Sequence, residues 1–140
     1  MATDDDSPRT VIARLLAHAP DDAVNACIET LELLANSLVG MIGEQGFNTL
    51  LYRSAHRVNL DFPWLLYDPR KGPADPEFNL LRECFVGQTT AQVLGASELL
   101  LTTLIDILAV LIGDHMTKVI VQPALSRANA RTNSKEQVNG

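Results

Sequence analysis

Leu38-Val39-Gly40-Met41-Ile42-Gly43-Glu44 returns seventy positions later as Leu108-Ala109-Val110-Leu111-Ile112-Gly113-Asp114. Each copy closes a long stretch with helical apolar periodicity, and another such stretch follows it. At this fixed offset residues 11–55 align on residues 81–125 without a gap. The identical pairs include Ala26/Ala96, Leu31/Leu101, Leu34/Leu104, Leu38/Leu108, Ile42/Ile112 and Gly43/Gly113. Glycine accepts backbone conformations that a Cβ forbids, so Gly43 and Gly113 can end helices. The carboxylates of Glu44 and Asp114 then stand where a new helix offers unpaired N–H groups and the positive end of its dipole. Two readings stay open: a duplicated unit, or two amphipathic helices that share a stop signal.

Working outward, the periodicity predicts an all-α domain of about six helices, in a bundle or an orthogonal array. The halves are 8–58 and 76–125, joined by a connector over 59–75, with polar tails at 1–7 and 126–140. Ser7 caps the first helix, with Pro8 at its first position, and Asp21 caps the second. In the second helix Val24, Cys27/Ile28, Leu31, Leu34, Leu38 and Met41/Ile42 make one apolar stripe. The third starts near Glu44, and the fourth runs from Pro76 to Val86 with Asp75 as its cap. The fifth, about Ala91 to Ile112, is apolar nearly all round apart from Glu98, Thr102 and Asp106. The last starts at Asp114 and is expected to stop at Pro123.

Leu and Ala dominate and aromatics are 5% of the chain, which favours helix over sheet. A net charge of −6 argues against a nucleic-acid partner. Cys27 and Cys84 lie in apolar segments without ligand-like spacing, as buried thiols of a reducing cytoplasm do. Met1 to Pro8 is acidic and lacks an apolar core, so no signal peptide is expected. Val93 to Gly113 approaches the length of a membrane span. Glu98 and Asp106 would each cost about 2.5–3.5 kcal/mol there on insertion scales, so it reads as a buried helix of a soluble protein.

Three groups of residues invite a chemical reading. Phe62-Pro63-Trp64-Leu65-Leu66-Tyr67 is either a plug that ties the halves together or, through Phe62, Trp64 and Tyr67, a binding loop. Arg53, His56 and Arg57 form a basic face suited to an acidic partner. Around His56, the stretch Ser54 to Leu60 resembles the phosphorylated-histidine neighbourhood of histidine phosphotransfer domains. That family's motif has Lys three residues after the histidine and Gly next, where this chain has Asn59 and Leu60. Glu98 and Asp106 share a helix face, but no ligand-spaced histidine accompanies them. No phosphate loop, nucleophile elbow or cysteine–histidine metal set is visible.

The Leu-rich stretch ending in Ile-Gly-Glu, followed by Leu50-Leu51-x-Arg53 and Phe62-Pro63-Trp64-Leu65, resembles small bacterial all-helical proteins of uncharacterised function. The resemblance implies a bacterial, cytoplasmic helical module and carries no catalytic residue. The expectation is therefore a non-enzymatic interaction or regulatory module without cofactor or metal, self-associating through Leu99, Leu100, Ile107 and Val110. A phosphotransfer domain using His56 and a binder of an apolar small ligand are the alternatives.

Overall fold

A computed structural model describes residues 7–18, 20–71, 75 and 77–139, the last eight through their backbone only. Among these residues all regular structure is helical: α1 (Pro8–His18), α2 (Ala23–Asp61), α3 (Asn79–Cys84), α4 (Thr90–Ile112) and α5 (Asp114–Asn139), with a 3-10 turn at Pro20–Asp22. The all-α class expected from the periodicity is the class observed.

The helix ends follow local chemistry. Pro8 opens α1 beneath Ser7, whose Oγ accepts from the Thr10 amide at 3.4 Å. Thr89 and Gln92 form a reciprocal capping box at the start of α4. Asp75 does cap the helix that follows it, but α3 begins three residues later than Pro76. Phe78 adopts φ 56°, a left-handed conformation unusual for a bulky residue. The Asp75 carboxylate then accepts from the amides of Asn79 and Leu80, at 3.0 and 2.8 Å. For α2 the N-cap is Asp22 rather than Asp21.

Gly43 has φ 79°, ψ 167°, and sharply kinks α2. Gly113 has φ 90°, ψ 159° between α4 and α5. Both lie in a region of backbone space that is essentially restricted to glycine. The seventy-residue offset also holds for burial. Positions 23, 26, 27, 30, 31, 34 and 38 are buried, and so are 93, 96, 97, 100, 101, 104 and 108. Beyond the glycines, 51, 54, 55 and 58 are buried, as are 121, 124, 125 and 128, while 53, 56, 57 and 60 and their counterparts 123, 126, 127 and 130 face solvent. One continuous core joins α1, α2, α4 and α5, with Leu34 and Leu104 both fully buried at its centre.

Two expectations give way. The last helix does not stop at Pro123: α5 runs through it to Asn139. Proline removes one N–H and crowds the carbonyl four residues back. Pro123 is exposed, so both defects fall on the solvent side of the helix and leave no polar group stranded in the core. Meanwhile Ala124, Leu125 and Ala128 hold the opposite side in the core. The segment 126–140, read as a tail, thus begins as packed helix. The connector also lies three residues later than 59–75, at 62–78, because α2 continues to Asp61 and α3 starts only at Asn79. Of the tail at 1–7 only Ser7 is among the described residues, and positions 72–74 of the connector lie outside them.

Candidate functional site

The connector leaves α2 at Phe62 and folds back over the helix that precedes it. Asn59 Nδ2 donates to the carbonyls of Pro63 and Leu65 at 3.0 and 3.1 Å, fixing the turn. Leu65 and Tyr67 are buried, Phe62 and Trp64 half-buried, and Leu66 exposed. Trp64 meets Phe62 and Phe85 edge-on, with ring centroids at 5.8 and 5.7 Å. Phe62 reaches α4 at Gly95, where a Cβ would lie 2.9 Å from the ring. Gly95 is there to admit the ring. Most of Phe62-to-Tyr67 is accordingly built into the fold.

Between the connector, α3 and the second part of α2 lies an open groove of about 670 Å3. Tyr52 and Ala55 contribute to its wall, with His56, Lys71, Glu83 and Cys84 among its polar groups. The Tyr52 ring is held on two sides, by His56 stacked at 6.0 Å and by the Arg70 guanidinium 3.6 Å from its centroid. Arg70 also forks onto Asp68, Nε to Oδ1 at 3.1 Å, and this bond holds the Asp68 carboxyl below its ordinary value. Burial pushes the Cys84 thiol up, although its Sγ contacts the Leu66 and Leu80 carbonyls. Burial likewise raises the Tyr67 phenol, with Asp75, Cys84 and Asp68 adding to it.

Arg53, His56 and Arg57 are all exposed, on the outward side of α2. Arg57 pairs with Asp61 at 3.1 Å, one turn on, and Arg53 lies one turn before His56 on the same helix. The predicted basic face and the aromatic loop meet at the groove, which His56 lines from the face and Trp64 and Tyr67 from the loop. Sequence reading missed Tyr52, Lys71, Glu83 and Cys84 as parts of this wall, because the fold of the connector alone brings them together.

The expected self-association set is corrected. Leu100 is fully buried in the core, and Leu99 and Ile107 are half-buried against it. Only Val110 stands out, 86% exposed. Its company is Leu111, Met116 and Val119, exposed by 64, 46 and 54%, all within a few residues of Gly113. The signal for this knob was in the repeat: the counterparts of Val110, Met116 and Val119 are Gly40, Gly46 and Thr49. At these three positions large apolar residues stand against small or polar ones, while Leu111 is matched by Met41, which is also exposed.

The two acids of α4 do not converge on anything catalytic. Glu98 is exposed, and Asp106 pairs with Arg9 of α1. Among the described residues no group of three His, Cys, Asp or Glu is arranged to hold a metal ion. Deep in the core Cys27 faces Ser97, its counterpart in the repeat. Burial pushes the Cys27 thiol up to about 12, and Ser97 Oγ lacks a well-formed hydrogen bond. Comparison of the chain with protein-family profiles, with curated proteins and with solved structures gave no significant match.

Proposed function

We propose that the chain is a non-enzymatic interaction or regulatory module that associates with itself. On this reading it is a helical bundle made from two copies of one helix–glycine–helix unit, 23–61 and 90–139. The matching burial of Cys27 and Ser97, equivalent positions in the core, supports this reading. The connector is the clasp between the copies.

The observation that carries the reading is the knob of Val110, Leu111, Met116 and Val119. Four large apolar side chains in water around one helix junction mark a surface that is covered in use. The earlier expectation of a self-contact along α4 moves to its far end. The two apolar helices, Pro20–Asp61 and Thr90–Ile112, have the length and composition of membrane spans, with 44% of each window buried. Their packing against one another supports a soluble, cytoplasmic module, as do two unpaired cysteines.

Sedimentation velocity over a concentration series tests the proposal. An average mass above that of one chain, falling on dilution, is the expected result. A single-chain mass at every concentration would refute self-association.

One observation favours a second reading. His56 is exposed on a helix, beside Arg53 and at the rim of a groove that also holds Lys71, an arrangement able to receive a phosphoryl group. Incubation with a phosphorylated receiver domain should then leave an acid-labile phosphate on His56. Its absence by mass spectrometry would remove this role.

A further inference from the structure

The stretches leading to Gly43 and following Gly113 differ in charge. Residues 19–52 hold Asp21, Asp22, Glu29, Glu32 and Glu44 and no basic residue. Residues 107–131 hold Lys118, Arg127, Arg131 and His115 against the single acid Asp114. The apolar knob at Gly113 is therefore edged by exposed Lys118 and His115, with exposed Asp114 next to the glycine, on a chain that is acidic overall.

At the other corner the surface is the reverse. A groove of about 380 Å3 runs beside Gly43, between α2 and the connector. Its floor includes the half-buried Ala35, Val39 and Pro69, and its carboxylates are Glu44 and Asp75. No basic residue lines it among the described residues. Gly40 lines it too, and a Cβ at that position would have nothing within 4 Å. Exposed Met41 stands at the same corner.

We infer that the Gly113 knob of one copy seats in the Gly43 groove of a second copy, with Lys118 brought against Glu44 and Asp75. Apolar side chains fill a groove with an apolar floor, and opposite charges meet around them, which fixes the partner as well as the register. The contact joins two different surfaces, so reciprocal docking closes a dimer and single docking continues to a chain. This inference rests on the self-association proposed above and assigns its two faces.

The test is sedimentation of the full-length protein and its variants, with circular dichroism confirming that each is folded. Every substituted position is solvent-exposed. Val119→Glu should weaken association on the order of tenfold or more, as loss of a central apolar contact does. Gly40→Gln, which fills the groove without touching the knob, should do the same. Lys118→Glu and Glu44→Lys should each weaken it, and the double variant should recover most of the loss. Raising salt from low ionic strength should lower the affinity of the parent protein and leave the double variant equally salt-sensitive.

A wild-type protein that is a single chain throughout would overturn the parent proposal and this one together. Association unchanged by Val119→Glu and Gly40→Gln would overturn only the assignment of faces. Loss of association in Val119→Glu without loss in Gly40→Gln, together with binding to anionic vesicles, would also overturn it, giving the knob to a lipid surface.

Discussion

The two helix–glycine–helix segments, 23–61 and 90–139, share a backbone device and an inward face but differ in what they show to water. Both turn at a glycine with the same unusual dihedrals, and both bury side chains at equivalent positions. The first is acidic, has Gly40 and Gly46 beside a single exposed Met41 at its corner, and carries the connector on its outer side. The second is basic beyond its glycine, has large apolar residues at its corner, and is open around His115, Lys118, Val119 and Gln122. The difference teaches that packing fixes the inner face at equivalent positions, while the outer faces, free of that constraint, differ in charge and in apolar exposure.

If the inner faces are equivalent, truncating matched core residues must cost the same. Leu34 and Leu104 are both fully buried. Leu34→Ala and Leu104→Ala should each destabilise by about 3 kcal/mol, the transfer term plus the cavity left behind. Urea denaturation of the two variants checks this. A difference above about 1.5 kcal/mol would break the equivalence, because one site would then be relaxing where the other does not.

The Cys27/Ser97 contact sharpens the comparison at the point where the segments meet. Cys27 has its thiol raised from 9.0 to about 12 by burial. A raised folded value means that the unfolded chain loses its proton first. The stabilising contribution is whole below pH 9 and falls away as pH rises from 9 towards 12. The loss should run at roughly 1.4 kcal/mol per pH unit. Cys27→Ala should remove this slope, leaving the contribution of Tyr67. Denaturation midpoints of wild type and variant at several pH values give the difference, and parallel curves would show that the thiol is not desolvated in the fold.

At the corners themselves, Gly43→Ala and Gly113→Ala each place a Cβ on a backbone that disfavours one. Each should cost about 1–3 kcal/mol, from strain rather than from collision, since neither added Cβ has a neighbour within 4 Å. Thermal unfolding of the two variants checks the pair. An unchanged midpoint in one of them would mean that its corner relaxes into continuous helix, and that the two junctions are not alike.

How much of this was legible in the sequence depends on which neighbour decides each feature. Gly43, Gly113, Ser7 and Asp75 act on their own few residues, and their roles could be read directly. Phe62-to-Tyr67 was legible as a plug or a binding loop, since its length and aromatics demand some cover. Which of the two it is depends on Gly95 and Phe85, distant in sequence. Leu100 was placed outside because α4 is apolar on most sides, so periodicity defines a broad arc and not its edges. Pro123 was misread because a proline's effect depends on whether it faces water, which only the packing of Ala124 and Leu125 determines. The Gly113 knob was legible in principle: comparing Val110, Met116 and Val119 with Gly40, Gly46 and Thr49 exposes it without coordinates.

The smallest effect falls on the outer faces. Asp106 stands where the first segment has Asn36, so Asp106→Asn makes the two segments identical at that position. The substitution breaks the ion pair that links α4 to Arg9 of α1. Both side chains are more than half exposed, at 67 and 51%, so water and salt screen the pair and the long arginine loses freedom to keep it. The expected loss is about 0.5 kcal/mol or less, and smaller again in high salt. α1 should stay docked through Ile12, Leu15 and Leu16, which are buried against the core. Hydrogen exchange over α1 reads this directly. Protection retained in Asp106→Asn assigns the docking to those three side chains, and protection lost there, with the rest of the chain intact, would show that one surface ion pair holds the first helix.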